Sequence, residues 1–358
     1  MSEGYAPHAG GRHHGAHGNA AAKTLGRTTG DFLDFSQNIN PLGIPESALK
    51  AAHLALASDV DTYPDSGYIE LRESLARYLD VTADRVLPTN GGAEAIFIAA
   101  RLAARRSGVK ARILAPTFSE YAAAARAAGL EPEHRIYRRP ETDFSFDEAA
   151  LEDLKDVSAV FLCNPNNPTG NALSRDEVLD ALERVRAAGA VLVVDEAFVD
   201  FVPEISVADV ESESLYVARS FTKFFAVPGL RLGALISEHL EEAQTLQPSW
   251  SVNAIAVAAG IAAAKERDFT VDSIREVALL RAALVEDLKR LPGIEVYPGS
   301  ANFLLLRGPS RLVGELARAG VLVRGCEPFE GLTDEYFRVA VRSKEHNRQL
   351  VDVLRGFL

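Results

Sequence analysis

Short apolar runs rich in β-branched residues alternate along most of this chain with stretches of helical periodicity, and that alternation narrows the possible folds more than any other feature. After "NPLGIPES", a helical "LKAAHLALAS" leads through the turn "TYPDSGY" to an amphipathic "IELRESLARYL". "RVLPTNGGAEAIFIAARLAARR" then reads as strand, glycine turn and helix, "ARILAPT" as strand, and "SEYAAAARAAG" as helix. "SAVFLCNPNNPTG", "RDEVLDALERVRAAG" and "AVLVVDEAF" continue the alternation, and the strands "SLYVARSF" and "RLGALIS" close it. Strands apolar on both faces and separated by helices predict a mostly parallel central sheet with helices on both faces, an α/β fold. Beyond residue 250, helical "AIAVAAGIAAAKE" and "VALLRAALVEDLKRL" precede strand-like "IEVYPGSANFLLLR" and "YFRVAVR", the pattern of a smaller α+β domain. At 358 residues the chain is too long for a usual single core. We divide it into an N-terminal arm at 1–43 that contributes to the small domain and to a dimer contact, a large domain at 44–246 and a small C-terminal domain at 247–358.

A formal charge of −12 sets the overall field against nucleic acid and anionic lipid. No apolar run is long enough to cross a bilayer, so no membrane association is expected. The opening "MSEGYAPHAGGRHHGAHG" lacks a basic leader followed by an apolar stretch, and the chain is expected to be cytoplasmic. Cys163 and Cys326 are far apart and in no C-x-x-C pair, which argues against a disulfide framework or zinc site. His8, His13, His14 and His17 sit in a glycine-rich setting that reads as a solvated arm, so no metal is expected.

In parallel sheets, ligands bind beyond the carboxyl ends of the strands. The chemically distinctive residues of this chain follow strands: Asn90 to Glu94, Asn164 to Gly170, Asp195 to Phe198 and Ser220 to Lys223. In "SFTKFFAVPGLRLG", a buried Lys223 would lose charge by desolvation and offer a neutral amine for imine formation, whereas a surface lysine after a strand would do nothing. Ser220, Thr222 and Arg231 supply two hydroxyls and a guanidinium fork suited to a phosphate, and "GGAE" at a helix start adds backbone amides. Asp195 ends an apolar strand and needs a cation, which either a structural salt bridge or a protonated pyridine nitrogen would provide. "NPNNPTG" is a rigid turn able to hold the amide of Asn167 at a fixed point, or simply a tight turn. Phe118 is an aromatic lid over a planar ring or a core residue. Together these features describe a site for pyridoxal 5′-phosphate (PLP).

"YPD", "NPNNPTG", "DEAF" and "SFTKFFAVPGLRLG", in that order, resemble the fold-type I PLP-dependent transferases, in the branch that holds histidinol-phosphate aminotransferases and L-threonine-O-3-phosphate decarboxylases. The resemblance implies Lys223 as the lysine that carries the cofactor, Asp195 as partner of its ring nitrogen and Asn167 as donor to its ring oxygen. It implies Gly92, Ala93, Ser220, Thr222 and Arg231 at the cofactor phosphate, with Phe118 and Phe198 also against the cofactor. Tyr63 matches a tyrosine that reaches the neighbouring subunit's cofactor, so the resemblance implies a homodimer with shared active sites. Arg338 is implied as holder of the substrate carboxylate, with Arg342, His14, Ser36 and Asn38 as further contacts to a small phosphorylated amino acid.

"LDFSQNINPLG", "WSVNAIAVAAG", "YPGSANFLLLR" and "YFRVAVRSKEHN" resemble the decarboxylases of that branch, as does Phe198 where many aminotransferases have tyrosine. Where those decarboxylases usually begin with "HGG", this chain has His14-Gly15-Ala16. The implied reaction is decarboxylation of L-threonine O-3-phosphate to (R)-1-aminopropan-2-ol O-2-phosphate for cobalamin biosynthesis. The alternatives are histidinol-phosphate aminotransfer and a PLP-binding regulator without turnover, the last lacking any visible basic helix-turn-helix extension. Contacts to the substrate's phosphate and carboxylate select the reaction, because the bond held perpendicular to the cofactor ring is the one that breaks.

Overall fold

The computed structural model describes residues 18–136, 141 and 143–358. Strand β1 (Leu33–Asp34) lies in the N-terminal arm. The large sheet follows, built from β2 (Val86–Asn90), β3 (Lys110–Ala115), β4 (Glu131–Ile136), β5 (Val157–Cys163), β6 (Val191–Asp195), β7 (Leu215–Ser220) and β8 (Leu232–Ile236). Its seven strands take the order β2-β8-β7-β6-β5-β3-β4. Strands β3 to β7 pair in parallel, and β8 runs antiparallel to both β7 and β2, so it alone opposes the others. A second sheet, antiparallel throughout, contains β9 (Glu295–Val296), β10 (Phe303–Arg307), β12 (Arg324–Gly325) and β13 (Tyr336–Ala340), while β11 (Val321–Leu322) pairs in parallel with β1.

The apolar runs are continuous because both faces of the large sheet are covered. Val160, Leu162, Leu192 and Val194 point into one core with helices Glu46–Ser58, Ile69–Leu79 and Arg175–Ala187. Their neighbours Ala159, Phe161, Val191 and Val193 point into the other, with helices Gly91–Ala103 and Glu120–Ala127. Helix Arg175–Ala187 starts where a capping box demands, with Ser174 and Glu177 exchanging hydrogen bonds. The small-sheet core gathers Leu284, Leu288, Leu304, Leu306, Val339 and Leu350, and the arm adds Phe35 to it. Helix Ala254–Ala263 falls within the segment that sequence assigns to the C-terminal domain, yet it buries Ala256, Ala259 and Ala263 in the core of the large sheet. Among the described residues no helix is long and apolar enough to cross a membrane.

Candidate active site

Parallel pairing brings the carboxyl ends of β5, β6 and β7 to one edge: Cys163 faces Asp195, and Asp195 faces Ala218. The turns that follow these strands therefore project together. Lys223 sits in a single helical turn, Phe221–Phe224, directly after β7. It is partly buried. Desolvation, then the positive charges of Arg338 and Arg231, lower its amine to about 8, with Asp195 pulling the other way. Both arginines and the carboxylate thus lie within electrostatic reach of the amine.

Asp195 is buried and has no salt bridge among the described residues. Desolvation raises its carboxyl to about 6, against the Tyr121 hydroxyl, which donates to Oδ2 at 2.7 Å, and the Ala197 amide, which donates to Oδ1 at 3.0 Å. The adjacent Glu196 differs: Arg219 pairs with it at 3.0 Å and also with Asp200. A structural ion pair therefore forms at Glu196, and Asp195 is the carboxylate left for an external cation.

The glycine turn is pressed against the strand ends. Gly91 has φ +77°, and a Cβ there would stand 2.6 Å from Arg231 Nη2. A Cβ at Gly92 would stand 3.0 Å from the Ser220 Cβ. Ser220 Oγ lies 2.8 Å from Thr222 Oγ1, and Ala93 is half-buried in the first turn of helix Gly91–Ala103. Helix-start amides, two hydroxyls and the exposed Arg231 guanidinium form a cradle for a dianion. With an amine at Lys223 and an unpaired carboxylate at Asp195, the donor set fits PLP, whose phosphate, aldehyde and ring nitrogen each find a complementary group.

Across from this cradle, Arg338 is buried on β13. It donates from Nη1 to Asn167 Oδ1 and from Nη2 to the Ser36 carbonyl at 2.9 Å, and its Nε has no partner. Its guanidinium lies 5.2 Å from the Phe303 ring centroid, and Phe303 meets Phe198 edge-on at 4.9 Å. Among the described residues no carboxylate pairs with Arg338. Desolvation lowers it to about 10. Directly across the β12–β13 ladder stands a second buried arginine, Arg324, over the Phe329 ring at 5.6 Å.

The remaining sequence-derived residues are placed as follows. Phe118 is half-buried and edge-on to Tyr121 at 5.8 Å. Asn167 is buried in a turn built by Asn166, whose side chain binds the Pro116 carbonyl, Thr117 and Thr169. The Ser36 hydroxyl donates to Asp34 at 2.6 Å, so its carbonyl is the atom that reaches Arg338. Asn38 is buried with Oδ1 unpartnered. Arg342 is half-buried, and its backbone amide and carbonyl both bind Asn347. Tyr63 stands apart, 80% exposed and packed on Trp250 at 4.5 Å. His14 lies outside the described residues, as do His8, His13 and His17.

Sequence reasoning missed Tyr121, Phe303 and Arg324. Tyr121 lies in "PTFSEY", where an aromatic heading a helix reads as ordinary core. An arginine inside the apolar "VLVRG" was the available sign for Arg324.

Residues 30–354 match the family described as aminotransferase class I and II. The chain is 37% identical to threonine-phosphate decarboxylase of Salmonella typhimurium, over 96% of each chain. Among solved structures it is similar to L-threonine-O-3-phosphate decarboxylase from Porphyromonas gingivalis, with TM-score 0.75, 25% identity, 91% of this chain and 99% of that one. It is also similar to histidinol-phosphate aminotransferase from Clostridium acetobutylicum, with TM-score 0.82, 28% identity, 91% of this chain and 98% of that one.

Proposed function

Because the chain belongs to the aminotransferase class I and II family, we propose that it is a PLP-dependent lyase that removes the carboxyl group of L-threonine O-3-phosphate. The products are (R)-1-aminopropan-2-ol O-2-phosphate and carbon dioxide, and the step serves cobalamin biosynthesis. The observation that carries this reading is Arg338, a buried guanidinium with no carboxylate partner among the described residues and a second buried arginine, Arg324, across the ladder. Two arginines side by side suit a small substrate that bears both a carboxylate and a phosphate.

Bound PLP supplies an electron-accepting ring that permits heterolysis at the substrate's Cα. Asp195 would hold the positive charge of the ring nitrogen, and its own burial would keep that pair away from water. The amides of Gly92 and Ala93, with Ser220, Thr222 and Arg231, would hold the cofactor phosphate, and Asn167 would meet the ring oxygen. Phe118 and Phe198 confine the ring. Arg338 fixes the rotation of the substrate carboxylate, with Ser36, Asn38, Arg342 and His14 as further contacts, and Arg324 takes charge from the phosphate. Lys223 Nζ, lowered to about 8, returns a proton to Cα after carbon dioxide leaves.

The protein acts as a cytoplasmic homodimer. Leu54, Leu56, Val60, Tyr63 and Trp250 are exposed apolar residues close together in sequence or contact, the surface a second copy would cover. Two buried cysteines outside any disulfide agree with a reducing compartment. Mixing Lys223→Ala with Tyr63→Phe protomers should restore activity, because one site of each mixed dimer then has both residues intact. No restoration would sink the shared-site arrangement.

Incubation with threonine phosphate should release carbon dioxide, and histidinol phosphate plus 2-oxoglutarate should give no glutamate. The opposite pattern would replace decarboxylation by aminotransfer.

A further inference from the structure

One short segment of the N-terminal arm touches both ends of the site. The Ser36 carbonyl accepts from Arg338 at 2.9 Å. Four residues on, the Asn40 amide donates to the Lys223 carbonyl at 3.0 Å. The Asn40 side chain then donates from Nδ2 to the Phe224 carbonyl at 2.8 Å and to Ser273 Oγ at 2.9 Å, while its Oδ1 accepts from the Leu42 amide at 3.1 Å. Asn40 is 2% exposed and Ser273 is fully buried on helix Arg267–Lys289. The Phe221, Thr222 and Lys223 carbonyls each accept from the amides that follow the turn, at Phe225, Val227 and Ala226, whereas the Phe224 carbonyl takes its bond from the Asn40 side chain.

We propose that Asn40 is a positioning residue: it pins the Lys223 turn to the arm, and so keeps the amine in register with Arg338. This rests on the roles given above to Lys223 and Arg338. The amine is held where burial, Arg338 and Arg231 all lower its proton affinity and Asp195 opposes them. Loosening the turn lets Nζ drift toward solvent and away from the two guanidiniums, which raises that affinity. The Ser273 contact anchors Asn40 to the long helix, but the Phe224 contact is the one that bears on the lysine turn.

The test uses full-length protein, cofactor-free for the pH titration and loaded with PLP for the kinetics. In Asn40→Ala, the pH midpoint for PLP uptake by the cofactor-free protein, followed by visible absorbance, should rise by about 0.5 unit or more. The kcat for threonine phosphate should fall about tenfold or more with KM within roughly twofold, the signature of a misplaced group rather than lost substrate binding. Asn40→Ser, which cannot span to the Phe224 carbonyl, should behave likewise if the alanine variant does not fold. Ser273→Ala keeps that bond and should retain the wild-type midpoint. A lowered Tm with unchanged midpoint and kcat in the Asn40 variants would overturn the positioning role and leave the functional reading intact. Absence of any Lys223-dependent absorbance in wild type would overturn both.

Discussion

Asp195 carries a cost in the cofactor-free protein that can be measured. Its carboxyl is raised from 3.8 to about 6, chiefly by desolvation. A raised carboxylate pKa means that the native state binds the proton more tightly than the unfolded chain. Stability is therefore greatest below the unfolded value and falls as pH rises, until the folded value is passed. The shift corresponds to about 3 kcal/mol at full ionisation, of which roughly half is already lost near pH 5 and the rest by about pH 8. Asp195→Asn removes the charge and keeps the contacts, since Oδ1 can still accept from Ala197 and the amide can donate to the Tyr121 oxygen. Denaturant unfolding of cofactor-free protein near pH 5 and pH 8 should show the variant gaining on wild type by roughly 1 kcal/mol between the two. In parallel, PLP should bind the variant at least about 100-fold more weakly at the higher pH, because the ring nitrogen loses its counter-ion. A stability difference that stays flat or shrinks as pH rises would refute the reasoning, since burial would then not be opposing ionisation.

Arg338→Gln should lower kcat/KM for threonine phosphate by roughly 100-fold, the scale of a lost charge-assisted pair, with PLP affinity unchanged by absorbance titration. Arg219→Met should destabilise the protein by about 3–5 kcal/mol in chemical denaturation, because Glu196 and Asp200 would be left buried and unpaired. The uptake of PLP by cofactor-free protein should accelerate with pH to a midpoint near 8 in stopped-flow absorbance, following the lowered Lys223 amine rather than the ordinary 10.5.

That the residues of the proposed cofactor half lie together was legible because they follow apolar strands, and parallel pairing delivers successive strand ends to one edge. Asp195, Ser220 and Lys223 needed only that rule. The proposed substrate half depends on partners distant in the chain. Arg324 becomes relevant because β12 pairs with β13 in a register that sets it against Arg338. Asn40 meets Phe224 across 184 residues, and no local pattern announces that contact. The domain boundary was least legible at helix Ala254–Ala263. "AIAVAAGIAA" has no polar face to mark which side it buries, and Gly260 packs so closely that a Cβ would stand 2.6 Å from Leu232 Cδ2. It joins the large core through Ala256, Ala259, Gly260 and Ala263, while Ile255, Val257 and Ile261 stay only partly buried.

The central claim is that a single amine meets the cofactor between Asp195 and the arginines. Borohydride reduction of the PLP-loaded protein, followed by peptide mass spectrometry, tests it most directly. The account predicts a pyridoxyl adduct on Lys223 and on no other lysine. An adduct elsewhere, with Lys223 unmodified, would contradict it.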